Sequence, residues 1–185
     1  MNPWQSLRLR FRRRNSQQIV TRLVELAFSK LQGSDYIEAQ GLLLRSLEYK
    51  SEIENPVLLE WILTSLSKTW EETEEYQKWT EFFSDFISQN PDHAVAYHLR
   101  AESHWYGGSL SDAITDYSRA LELNPKDASA FLGRGQVSME FHDFRRALED
   151  LDAALGYIDS VPGADAAWKA GFEAFARNGR AAAYA

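Results

Sequence analysis

The side chains best equipped for chemistry in this chain are its four histidines, His93, His98, His104 and His142. A helical zinc pair needs two histidines one turn apart with a third ligand nearby. His98 and His104 stand six residues apart and fall on different helical faces, so no metal site is expected. Cysteine is absent. That removes thiolate zinc, iron–sulfur clusters, disulfides and cysteine nucleophiles together, and makes a reducing compartment, the cytoplasm, the expected location. Gly133-Arg134-Gly135 comes nearest to a phosphate-binding loop, but it lies inside a helical pattern, where glycine permits close packing instead. Glu71-Glu72 and Glu74-Glu75 flank a helix boundary and read as helix-terminal charge rather than a paired-carboxylate site. The expectation is a protein without cofactor or catalytic activity.

Six tryptophans carry more information: Trp4, Trp61, Trp70, Trp79, Trp105 and Trp168. Large aromatics either fill a core or anchor a partner. Charge is unevenly spread around them. Residues 1–24 hold Arg8, Arg10, Arg12, Arg13, Arg14 and Arg22 and no acid, whereas residues 51–92 carry ten acids against Lys68 and Lys78. A basic arm on an acidic body is one reading, and two well-solvated faces is the other. Within the arm Leu7, Leu9 and Phe11 alternate with Arg8, Arg10 and Arg12, a period of two that does not make a clean amphipathic helix. Residues 1–16 are therefore expected to be a flexible basic arm. The formal net charge of −7 disfavours bulk nucleic-acid binding.

The elements that would position these residues follow from composition and period. The 185 residues are 44% hydrophobic, contain only five prolines and ten glycines, and hold no apolar run long enough to span a membrane. Residues 94–127 laid over 128–161 match without a gap at a spacing of 34. Ala94/Ala128, Ala96/Ala130, Arg100/Arg134, Ala113/Ala147, Asp116/Asp150, Ala120/Ala154 and Leu121/Leu155 are identical. Each segment reads as two amphipathic helices, A and B, around a break at Gly107-Gly108-Ser109 or His142-Asp143. Asn124-Pro125 closes the first, because proline cannot extend a helix.

This helix–turn–helix period resembles the tetratricopeptide repeat (TPR) family. The resemblance rests on Tyr97 and Phe131 early in helix A and on Ala101 and Gly135 four positions later. It extends to small residues in helix B (Ala113, Ala120, Ala147, Ala154), to Tyr117 and Leu151 between them, and to Pro125. It implies an all-α fold, a right-handed α-α superhelix of helix pairs, over residues 17–185. Repeats are expected at about 20–53, 60–93, 94–127 and 128–161, with a terminal helix over 165–185. The repeat at 60–93 is degenerate: Trp79 and Phe86 occupy small helix-B positions, so its helices should splay or its register shift by a residue. Arg180-Ala181 and Tyr184 echo the start of a further repeat, which suggests an array that continues.

In this family the concave groove is lined mainly by helix A. Carried over by position, that implies a partner-binding groove made by His98, Glu102, Trp105, Tyr106, Leu132, Gln136, Met139 and Glu140, with Val95 and Ser129 beside them. The degenerate repeat would add Trp61, Thr64, Lys68, Glu71 and Glu72. The family's carboxylate clamp for chaperone tails needs Lys, Asn and Asn where this chain has His98, Glu102 and Gly133, or Thr64, Lys68 and Leu99 in the degenerate repeat, so that use is not expected. The expected function is a non-catalytic interaction module whose groove takes a protein or peptide partner with basic and apolar residues. The alternative is a regulatory or assembly protein whose Arg-rich arm, residues 1–16, contacts nucleic acid or anionic membrane, with the repeats as a homo-oligomer platform.

Overall fold

The computed structural model describes residues 3–160 and 166–183, which form helices and no strand. They are α1 (Pro3–Gln32), α2 (Tyr36–Leu47), α3 (Pro56–Glu72), α4 (Tyr76–Gln89), α5 (Ala94–Tyr106), α6 (Leu110–Leu123), α7 (Ala128–Glu140), α8 (Phe144–Tyr157) and α9 (Ala166–Ala183). Short 3₁₀ turns follow α2 at Lys50–Glu52 and α8 at Ile158–Ser160. Among the described residues no helix is long and apolar enough to cross a membrane. The chain divides into two compact units, Met1–Glu75 and Tyr76–Ala185, with the division inside the turn of the degenerate helix pair.

Local chemistry explains where the helices start. Asp35, Asp127 and Asp143 each precede a helix and accept a hydrogen bond from the backbone N–H three residues on, at Glu38, Ala130 and Arg146. Asn55 caps α3 through Val57 N–H, with Pro56 at the first helical position, where its missing donor is harmless. His93 caps α5 through its Nδ1, which accepts from Ala96 N–H.

The A–B turns share one backbone pattern. Ser34, Glu74, Gly108 and His142 all have positive φ, the left-handed conformation that ends a helix. Each is followed by an N–H that reaches back five residues, from Asp35 to Lys30, Glu75 to Trp70, Ser109 to His104 and Asp143 to Ser138. The last three positive-φ residues are spaced by 34, so the register of the degenerate repeat holds through its turn. What differs is the start of α3, at Pro56 rather than 60. Ser34 precedes Glu74 by 40 residues, and the excess lies in the Lys50–Glu52 turn and the loop to Asn55.

The close-contact positions behave as the 34-residue pattern requires. Ala113, Ala120, Ala147 and Ala154 have no exposed surface, and neither have Ala101 and Ala130. Side chains this small let helix axes approach, while Tyr117, Val137 and Leu151 fill the space beside them. In the degenerate repeat Trp79 and Phe86 are themselves buried, Trp79 against Tyr106 (6.0 Å between ring centroids) and Phe86 edge-on to His93 (5.2 Å). Helix α1 runs from Pro3 to Gln32, across residue 16. Tyr184 lies outside the described residues.

Candidate functional site

Within the second unit each A helix is fastened to the B helices on either side by a repeated polar staple. Arg100 on α5 donates two hydrogen bonds to Asp116 on α6 (2.7 and 2.8 Å) and one to Ser84 on α4 (3.2 Å). Thirty-four residues on, Arg134 on α7 does the same with Asp150 on α8 (2.8 and 2.7 Å) and Ser118 on α6 (3.0 Å). Both carboxylates are buried and both guanidinium groups largely so. A bidentate arginine–carboxylate pair fixes orientation as well as charge. The period made Arg100, Arg134, Asp116 and Asp150 visible in the sequence. Their pairing was not, because the partners lie sixteen residues apart on different helices.

The staples hold α5 and α7 so that their inner faces bound a cavity of about 660 Å³. His98, Glu102, Trp105 and Tyr106 come from α5, and Ser129, Leu132 and Gln136 from α7. Six of the eight groove residues expected from the sequence thus meet in one place. Glu140 is not part of the lining but accepts a hydrogen bond from Trp105 Nε1 at 2.9 Å. Met139 is half-buried and outside the lining, and Val95 likewise does not line it. Lys68, Glu71 and Glu72 belong to the other unit, where the lysine pairs with both acids. Trp61 there lies 6.3 Å from Phe28, centroid to centroid.

Residues the sequence reading missed complete the cavity: Tyr117, Gly133, and Gly171, Phe172 and Phe175 on α9. Gly133 is required by close approach. A Cβ there would sit 2.5 Å from the Tyr117 ring and hydroxyl. The available signal was a size change across the period, Leu99 in one repeat against Gly133 in the next. Phe175, half exposed on α9, carried no signal, since α9 does not follow the repeat.

The floor of the cavity is electrostatically organised. Burial works against a charge on His98, but its Nδ1 lies 3.3 Å from Asp127 and its Nε2 3.5 Å from Glu102. The two carboxylates prevail, and the His98 pKa rises to about 10. Burial would likewise push the Asp127 carboxyl up, yet His98 and the N–H groups at the start of α7 hold it below its ordinary value. Burial raises the Tyr117 hydroxyl well above the usual range, and the His98 ring meets the Tyr117 ring edge-on at 5.6 Å. At neutral pH the cluster is therefore an imidazolium between two carboxylates. Trp105 stacks on Tyr106 (5.5 Å, 16°), and Tyr106 on Tyr76 (5.9 Å, 18°). Among the described residues no group of three or more His, Asp or Glu side chains is disposed to hold a metal ion.

Comparison with known proteins gives the same repeat. The family model for the TPR repeat matches residues 105–140, from the end of α5 to the end of α7. A Protein SGT1 homolog of Bos taurus is 38% identical over 63 residues, covering 34% of this chain and 19% of that protein. The chain thus spans about a fifth of the length of this relative. A tetratricopeptide repeat protein from Parabacteroides merdae superposes with a TM-score of 0.62 at 20% identity, over 90% of this chain and 59% of that one. The first TPR of Spaghetti (RPAP3), solved bound to the HSP90 peptide SRMEEVD, gives a TM-score of 0.55 at 21% identity over 68% and 94% of the two chains. Residues 105–140 thus match the tetratricopeptide repeat family, and the all-α chain around them shares the fold of solved TPR proteins.

Proposed function

We propose that the chain is a non-catalytic protein–protein interaction module, and that the cavity between α5, α7 and α9 receives a peptide or helical segment of its partner. The observation that carries this reading is the cavity itself, where Trp105, Tyr106, Leu132 and Phe175 present apolar surface beside the polar groups of His98, Glu102 and Gln136. A few desolvated aromatics supply most of the energy in such interfaces. The peptide bound by the similar Spaghetti domain supports the class of partner.

Trp105 is the residue to test. It is half-buried, with one side against the core cluster around Ala101 and Tyr117 and its indole N–H donated to Glu140, so folding is measured beside binding. Peptides selected from a displayed library on the full chain should bind Trp105→Ala more weakly by ~2 kcal/mol, about 30-fold, with helicity unchanged. Loss of folding in Trp105→Ala would mark the side chain as core and end the groove reading. So would binding that survives Trp105→Ala but vanishes when residues 1–16 are deleted.

A further inference from the structure

We propose that this cavity selects its partner by positive charge, seating a Lys or Arg side chain beside Glu102 while a neighbouring apolar side chain rests on the Trp105–Tyr106 wall. The proposal rests on the groove reading above and specifies the chemistry of the occupant. Of the described residues that line the cavity, His98 is the only one able to carry positive charge and Glu102 the only carboxylate. Neither lysine nor arginine is among them.

His98 cannot serve an incoming carboxylate. Both of its ring nitrogens already face acids, Asp127 at 3.3 Å and Glu102 at 3.5 Å. An acidic tail entering here would have to displace one of those contacts and would meet Glu102 at close range, a like-charge approach in a partly desolvated site. A cation meets the opposite situation. Taken with Asp127, the imidazolium leaves the cluster one negative charge in excess, and Glu140 adds another at the Trp105 edge. Glu102 contacts His98 at a length that leaves the carboxylate loosely held, so it can turn to a guanidinium or ammonium. Arg100 and Arg134, the arginines of α5 and α7, are each paired with a buried carboxylate in the staples, Asp116 and Asp150.

The test uses the full chain and one capped octapeptide frame containing two leucines and a phenylalanine, its three variable positions all Arg, all Gln or all Glu. SRMEEVD with a free C-terminus serves as a fourth probe. Titration calorimetry should rank Arg at least tenfold tighter than Gln, with Glu and SRMEEVD weaker still, and the Arg advantage should shrink as salt rises. Glu102→Gln should remove most of the Arg-over-Gln advantage, whereas Glu149→Gln, on an exposed stretch of α8 outside the cavity, should leave it intact. Equal affinity for Arg and Gln frames, tighter binding of either acidic probe, an Arg preference that survives Glu102→Gln, or no binding by any frame overturns the charge selection. If Trp105→Ala weakens the three frames alike while their ranking ignores charge, the groove reading stands and this inference falls.

Discussion

The helix pairs α5–α6 and α7–α8 share their helix-B crossing alanines and their polar staples, and differ wherever they face the cavity. The inward alanines repeat, and so do Arg100/Arg134, Asp116/Asp150 and Ser84/Ser118. The positions lining or edging the cavity all change, from His98 to Leu132, Glu102 to Gln136, Trp105 to Met139 and Tyr106 to Glu140. Interior residues of a repeat meet the same neighbours in every copy, so the same solution serves each time. Groove residues meet whatever occupies the groove, and one occupant presents different atoms to each copy. Sameness therefore marks architecture in this chain, and difference marks the candidate site.

The largest expected effect breaks the shared part. Removing one partner of a buried ion pair strands the other charge, at a cost of about 3–5 kcal/mol. Asp116→Ala and Asp150→Ala should both destabilise by about 3 kcal/mol, toward the low end because the arginines retain some exposure. Urea denaturation of the two variants should give similar values. A near-neutral result at one site would mean that the two staples are not equivalent, and the one visible difference is His104 Nε2 3.6 Å from Asp116, where the following repeat has Ser138.

The next effect probes a place where the copies differ. His98 is charged and carboxylate-bound, and its counterpart Leu132 is apolar. A folded-state pKa raised from 6.5 to about 10 stabilises the fold fully below the unfolded value, and that stabilisation is lost as pH rises through the folded one. Stability should therefore fall between about pH 7 and pH 10 by on the order of a few kcal/mol. Asp127, with a depressed pKa, adds the opposite limb: its contribution disappears as the solution is acidified below the ordinary carboxylate range. Chemical denaturation across this range should show the alkaline decline in the parent chain and a much flatter profile in His98→Gln.

How much of this was legible depended on whether the signal was periodic. Helix boundaries and buried alanines followed from a 34-residue repeat that any self-comparison reveals, and the cavity-facing positions of α5 and α7 from the family resemblance laid over that repeat. Six of the expected lining residues converge for that reason. The His98–Asp127 contact was not readable, because Asp127 reads as a helix cap and nothing in its spacing says that its second oxygen faces an imidazole. The α9 lining was hidden as well, since α9 breaks the period. Gly133 lies between these cases. Its departure from Leu99 was visible, but its reason, the Tyr117 ring beneath it, needed three dimensions.

That position gives a smaller and more pointed prediction. Alanine is the better helix former by about 1 kcal/mol, yet Gly133→Ala would place a methyl 2.5 Å from the ring of a tyrosine that has almost no exposed surface. Overpacking should win, for a net loss of about 1–2 kcal/mol. In a Tyr117→Leu background, which copies Leu151 from the following repeat, the same substitution should become neutral or stabilising. A double-mutant cycle measures that coupling directly. Zero coupling would show that the tyrosine is not what the glycine accommodates.

The smallest effect concerns the turns, where the two pairs share a conformation and differ in the residue that adopts it. Gly108 and His142 occupy equivalent left-handed positions, with φ of 81° and 60°, and their turns close through the same five-residue backbone bond, 2.7 Å from Ser109 and 2.9 Å from Asp143. Glycine adopts that conformation without strain, whereas a side chain with a Cβ is penalised by about 1 kcal/mol. No atom lies within 4 Å of where a Cβ on Gly108 would stand, so the penalty of Gly108→Ala is purely a backbone one. Gly108→Ala should therefore lose about 1 kcal/mol. His142→Gly should gain somewhat less, because it also gives up the edge-on contact of the imidazole with Phe144 at 5.8 Å and enlarges the entropy of the unfolded chain. Opposite signs in thermal melts of the two variants are the expected result. If both lose stability, the His142 ring contributes more through Phe144 than its backbone strain takes away, and the two turns are alike only in their hydrogen bonds.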